Sequence, residues 1–148
     1  MKLLVINGPN MNMLGQRETD VYGRKSLNDL ERVCTEYGKD AGFDVECFQS
    51  NYEGELVARI QTARGIFGAI IINAAAFTHT SIAILDALRG AALPTVEVHL
   101  TDINAREEFR HFSYTALYAE KVCMGRGFAS YREAIDYLAK KLLTDEQR

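Results

Sequence analysis

Five short runs of apolar residues recur along the chain, and between most of them the apolar positions open out to every third or fourth residue. A continuous apolar run suits a strand covered on both faces, whereas the wider spacing marks one stripe of a helix. Strands are predicted over residues 2–6, 45–48, 69–72, 95–99 and 121–124, the third being almost free of polar residues. Helices are predicted over 26–41, 55–63, 80–91 and from 130 to about 143. In the first of these Ser26 can cap the start, Leu27, Leu30, Val33 and Cys34 repeat at helical spacing, and Gly42 stops it. Leu56, Ile60 and Ala63 share one face of the second. Ser130 and Glu133 stand at capping-box spacing for the last.

The order is βαβαβαβ, an irregular stretch, then βα. Strands alternating with helices require a parallel sheet with right-handed crossovers. The expected fold is therefore α/β, a flavodoxin-like doubly wound five-stranded parallel sheet of order 2-1-3-4-5 with helices on both faces. At 148 residues one domain, 1–148, accommodates this core, and no repeat or linker divides it. In such sheets ligands bind beyond the carboxyl ends of the strands where the order reverses, here between strands one and three. The segments after Ile6, Ile72 and Val98 are the ones to interrogate.

One segment breaks the pattern. From Asn7 to Gly23 the chain reads NGPNMNMLGQRETDVYG, with no helical or strand period. It is about twice as long as most loops of its type, and such loops are usually functional or disordered. A lid over roughly residues 8–25 is the functional reading.

Composition narrows the class. The hydrophobic share of 47% and charged share of 25% are those of an average soluble globular chain. A net charge of −3 gives no overall field for nucleic acid. No apolar run reaches the roughly 18 residues of a membrane span, and Asn7 and Gly8 end the first run too early for a signal peptide. Cys34, Cys47 and Cys123 are odd in number and set among apolar neighbours, which suits buried, reduced thiols. A cytoplasmic protein is expected.

The strand ends carry the chemistry. After strand one, Arg17 and Tyr22 are the side chains with an evident chemical use. After strand three, Asn73 ends the strand, and Thr78, His79, Thr80 and Ser81 crowd the next helix start, where free N–H groups favour an anion. On strand four Glu97 and His99 project to the same side, which suits an imidazole oriented by a carboxylate. Arg106 and Arg110, four apart, would share a face if that segment were helical, and could grip a carboxylate or simply pair with Glu107 and Glu108. Each motif has an ordinary structural reading; their convergence in one crevice favours a site. No lysine stands at these strand ends for Schiff-base chemistry. The carboxylate and histidine spacing fits no metal motif, and the first loop is neither a Walker A nor a flavin phosphate loop. Asn7 and Asn73 occupy places where a phospho-acceptor domain would need acids. What remains is cofactor-free acid–base chemistry on a small, oxygen-rich anion.

INGPNMNMLGQRETDVYG, INAAAFTHTS followed by ILDAL, and PTVEVHLTDINAREEFRHFSY together resemble type II 3-dehydroquinate dehydratase. The resemblance runs to about Tyr118 and implies anti elimination of water from 3-dehydroquinate to 3-dehydroshikimate through an enolate, in the shikimate or quinate pathway. By motif position it implies Tyr22 as the base, Arg17 as stabiliser of its phenolate, and Asn10 as a residue holding the enolate. A phenol that titrates near 10 would need a shift of roughly two to three units, about 3–4 kcal/mol, within reach of one close guanidinium with hydrogen bonds. His99 is implied as the acid that protonates the departing hydroxyl, with Glu97 orienting it. Asn73, His79 and Arg110 are implied substrate contacts, the backbone of Leu100 and Thr101 a carboxylate cradle, and Arg106 a positioning or lid-closing group. Asp86 is implied to reach the site from a neighbouring subunit of a homododecamer built from trimers. No cofactor or metal is implied. Ala74, Ala75, Phe77, Thr19, Thr101 and Asp102 depart from the common family pattern without removing a proposed catalytic group. A binding or signalling module, a retired homologue kept as a scaffold, and an enzyme for a related hydroxy-ketone acid are the competing readings.

Overall fold

The structure is a computed structural model and describes residues 1–16 and 24–146. Five parallel strands, β1 (Lys2–Asn7), β2 (Asp44–Gln49), β3 (Ala69–Asn73), β4 (Thr95–His99) and β5 (Lys121–Met124), form one sheet in the order β2-β1-β3-β4-β5. Four α-helices, α1 (Leu27–Ala41), α2 (Glu53–Gln61), α3 (Ile82–Ala91) and α4 (Ala129–Leu142), cover it. Side-chain alternation along β1 shows why both faces must be covered. Leu3 and Val5 enter one core with Leu30, Cys34, Val96, Tyr131 and Leu138, under α1 and α4. Leu4 and Ile6 enter the other with Leu56, Ile60, Ile70, Ile72, Ile84 and Leu88, under α2 and α3. No helix among the described residues is long and apolar enough to cross a membrane.

Helix starts depend on hydrogen bonds that spacing alone resolves only partly. The start at Ser26 is a full capping box, with Asp29 returning the bond, and Gly42 ends α1 at φ 107°. α2 begins two residues before the predicted start, because Ser50 Oγ accepts from the Tyr52 N–H and organises the turn. α3 starts at Ile82 instead of residue 80: Ser81 is its cap, accepting from Ile84 N at 2.9 Å, while residues 75–79 form a 3-10 turn. The predicted Ser130–Glu133 box does not form. Consecutive tight turns over 126–131 start α4 at Ala129, which places Ser130 inside the helix. Its hydroxyl accepts from Arg126 N, and Glu133 lies within ion-pair range of Lys121 and Arg126.

The register aligns the carboxyl ends of the central strands. Asn7 stands opposite Asn73 on one side and Gln49 on the other. The Gly8 N–H extends the ladder to the Asn73 carbonyl at 2.8 Å. A β-carbon on Gly8 would lie 2.4 Å from the Ala74 oxygen, so glycine permits this close approach. Cys34 and Cys123 are buried and Cys47 is half-buried; all three are free thiols, with burial raising Cys47 to about 12 and Cys123 to about 11.

Candidate active site

Beyond the ends of β1, β3 and β4 lies a cavity of about 160 Å³. Asn10, Asn73, His79, His99, Leu100, Thr101, Arg106 and Arg110 all line it, so eight predicted site residues from three strand ends meet in one crevice. Arg17 and Tyr22 lie outside the described residues. The described part of the long loop begins with a 3-10 turn at Met11–Met13, preceded by Asn10 in the left-handed region at φ 69°. That conformation costs an L-residue energy, and asparagine tolerates it better than most. Neighbours hold it: Asn10 N donates to Asn51 Oδ1 at 2.9 Å, and Gln49 Nε2 donates to the Gly8 carbonyl at 3.1 Å.

Asn73 is almost fully buried, and its amide is committed in both directions. Its Oδ1 accepts from Ala75 N at 3.1 Å, and its Nδ2 donates to the Tyr131 hydroxyl at 3.0 Å. Tyr131 in turn donates to Asn7 Oδ1 at 2.5 Å, tying the ends of β1 and β3 to α4. The Asn73–Ala75 bond helps hold Ala75 at φ 53°, a left-handed conformation.

Glu97 and His99 form the electrostatic centre. Both are buried, and His99 Nε2 lies 2.6 Å from Glu97 Oε2. The other carboxylate oxygen accepts from Ser113 Oγ at 2.7 Å and from Thr115 Oγ1. Burial pushes the Glu97 carboxyl up, but its bond to His99, the charge on that ring and the two hydroxyls outweigh it and hold the group below the ordinary carboxylate value. His99 lines the cavity directly above this buried anion, which is the geometry of an oriented imidazole.

His79 is set differently. Its Nδ1 lies 2.8 Å from the Phe112 carbonyl, which accepts only, so Nδ1 carries the proton. Burial lowers its proton affinity against the pull of that carbonyl, and His99 and Arg110 lower it further. Of the Thr78–Ser81 cluster only His79 lines the cavity; Ser81 is spent on capping, and Thr78 is buried. Arg106 and Arg110 do not share an α-helical face either. Two 3-10 turns, Ile103–Ala105 and Glu108–Arg110, flank an extended Arg106, and this path brings both arginines to the rim. Glu107 pairs with Arg110 at 3.0 Å and with Arg106 at 3.8 Å, so gripping the rim and pairing locally are compatible.

Asp86 is absent from the cavity. It is exposed on α3, in a separate concavity with Val57, Gln61, Ala83 and Ala87 between α2 and α3. Sequence patterns gave no hint of Gln49, Asn51, Ser113 or Thr115. Tyr131 alone left a trace, as a side chain with a polar tip on the buried stripe of α4.

A doubly wound sheet whose switch-point crevice holds a buried carboxylate–imidazole pair, amides and two arginines defines an acid–base enzyme for a small anion. The model of the family Dehydroquinase class II matches residues 1–139. A 3-dehydroquinate dehydratase of Geotalea daltonii is 53% identical over 131 residues, 88% of this chain and 91% of that one. Catabolic 3-dehydroquinase 2 of Aspergillus flavus is 48% identical over 146 residues, 99% and 97% of the two chains. Among solved structures, the type II dehydroquinase of Butyrivibrio crossotus superposes with a TM-score of 0.90 at 44% identity, covering 93% of this chain and 97% of that one. The chain belongs to the class II dehydroquinase family.

Proposed function

We propose that the protein removes water from 3-dehydroquinate to give 3-dehydroshikimate through an enolate, in the shikimate or quinate pathway. The observation that carries this reading is the Glu97–His99 pair opening onto a cavity rimmed by Arg106 and Arg110. Tyr22, on the lid, takes the proton beside the ketone, and Arg17 stabilises the phenolate. Asn10 helps hold the enolate. Collapse of the enolate expels the hydroxyl, which leaves as water with a proton from His99, while Glu97 keeps that ring oriented. Asn73, His79 and Arg110 contact substrate hydroxyls, the backbone of Leu100 and Thr101 binds its carboxylate, and Arg106 positions it or the lid. Asp86 is exposed and remote from the cavity of its own chain, so its part at a substrate requires a second copy. A homododecamer built as four trimers, each chain one catalytic domain acting in the cytoplasm, supplies that copy.

The test uses ultraviolet absorbance. Purified protein given 3-dehydroquinate without added cofactor generates the conjugated enone of the product, and Tyr22→Phe lowers kcat roughly 10²- to 10⁴-fold, the range of a general base. No absorbance rise from a folded sample rejects the reaction. A Tyr22→Phe rate within about tenfold of wild type rejects Tyr22 as the base.

A further inference from the structure

Beneath the pair that faces the cavity lies a layer of hydroxyls that the reaction itself does not touch. Ser113 and Thr115 belong to the irregular chain between β4 and β5, and both are buried against Glu97. An inventory of protons decides what they do. A hydroxyl has one proton to give. The Ala116 N–H donates to Ser113 Oγ at 3.0 Å, so Ser113 is already satisfied as an acceptor and its own proton goes to Glu97 Oε1. The two hydroxyl oxygens are 3.0 Å apart, and Thr115 reaches the same carboxylate oxygen. One oxygen of Glu97 thus takes two hydroxyl protons, leaving the other for His99 Nε2 at 2.6 Å. A carboxylate held ionised accepts only, so the facing ring nitrogen carries a proton and Nδ1 is the nitrogen turned to the cavity; as the acid, the doubly protonated ring gives its Nδ1 proton to the departing hydroxyl and returns to the Nε2–H tautomer.

We propose that Ser113 and Thr115 are positioning residues for the acid: their paired hydroxyls pin the Glu97 carboxylate, and through it fix the ring orientation and tautomer of His99. The inference rests on the dehydration reading, in which His99 delivers a proton to the departing hydroxyl. Without the hydroxyls the buried carboxylate has fewer donors and freedom to rotate, and His99 loses its single defined partner oxygen. On the dehydration reading the ground-state contacts to substrate are made by Asn73, His79 and Arg110, so the loss falls on kcat more than on KM.

The experiment pairs kinetics with nitrogen NMR of the His99 ring. Wild type shows a ring protonated at Nε2. Thr115→Val, which keeps side-chain shape and removes the hydroxyl, gives a mixed or shifted ring signature and a kcat lower by roughly 10- to 100-fold, with KM changed less than about threefold. Thr115→Ser restores both, because the hydroxyl returns. Ser113→Ala is the second variant and moves the same readouts in the same direction should Thr115→Val fold poorly. Wild-type ring signatures and kcat in Thr115→Val or Ser113→Ala overturn the proposal. Equal impairment of Thr115→Val and Thr115→Ser also overturns it, since packing would then explain the effect. The ring signature reads the proposal without turnover, so its failure is separable from a wild type that fails to dehydrate 3-dehydroquinate.

Discussion

Replacing Tyr131 with phenylalanine removes one oxygen from the best-buried polar junction of the fold. The ring volume stays, so the core around Leu30, Cys34 and Leu138 keeps its packing. The hydroxyl sits between two amides, accepting from Asn73 Nδ2 and donating to Asn7 Oδ1. Asn7 is fully buried, and its Nδ2 has no hydrogen-bond partner among the described residues. In Tyr131→Phe the Asn7 oxygen is stranded as well. Asn73 Nδ2 keeps only the Met11 sulfur at 3.7 Å, a weak acceptor. A buried polar group left unpaired costs about 1–3 kcal/mol, so one full loss and one partial loss sum to roughly 2–4 kcal/mol. For a domain of this size that is a fall in Tm of roughly 5–15 °C. Urea unfolding of wild type and variant at one protein concentration measures it, because assembly contributes stability by mass action. The m-value should not change, since the surface exposed on unfolding is the same. A difference below about 0.5 kcal/mol would refute the reasoning, showing that the three side chains are not energetically coupled.

Gly8→Ala forces a β-carbon to 2.4 Å from the Ala74 carbonyl, with backbone on both sides and no rotamer to relieve it. The β1 and β3 ends must part, costing at least about 1–3 kcal/mol and lowering kcat/KM as Asn10 and Asn73 separate; urea melts and steady-state rates within error of wild type would contradict this. Acidification should destabilise the protein in two stages. His79 is held below its ordinary 6.5, so the unfolded chain binds its proton first, and stability falls as pH drops from that value. Glu97 is held below 4.5, so the stability it contributes is present above that value and is lost as pH falls through its folded value. Urea midpoints across pH check both stages, and His79→Asn should erase the first alone.

The legible part of the site was the part that strand geometry dictates. Glu97 and His99 are two apart on a strand, so a period of two places them side by side whatever surrounds them. Asn73 follows directly from the end of a strand whose order brings it to the crevice, whereas Asn10 came from the family resemblance. Arg106 and Arg110 were found for a different reason from the one that places them, since 3-10 turns do the work assigned to a helical face. The hydroxyls of Ser113 and Thr115 were invisible because an irregular segment has no period, and nothing local says that it folds back over Glu97. The Ser130 capping box failed for a related reason. A four-residue signature cannot report that preceding turns have already started the helix.

By itself, then, the sequence determined the elements, their order and the crevice, because hydrophobic periodicity and the handedness of parallel crossovers leave few arrangements of five such strands. It also determined which chemical groups stand at the strand ends. Tertiary structure decided which of those groups are held, and by what: Tyr131 bridging two strand ends from the last helix, Gln49 and Asn51 anchoring the start of the long loop, and two hydroxyls beneath a buried carboxylate. Those partners lie 16 to 124 residues apart in sequence. Burial is what makes them obligatory, since an unpaired polar group in a dry core costs more than the loop that must return to pair it.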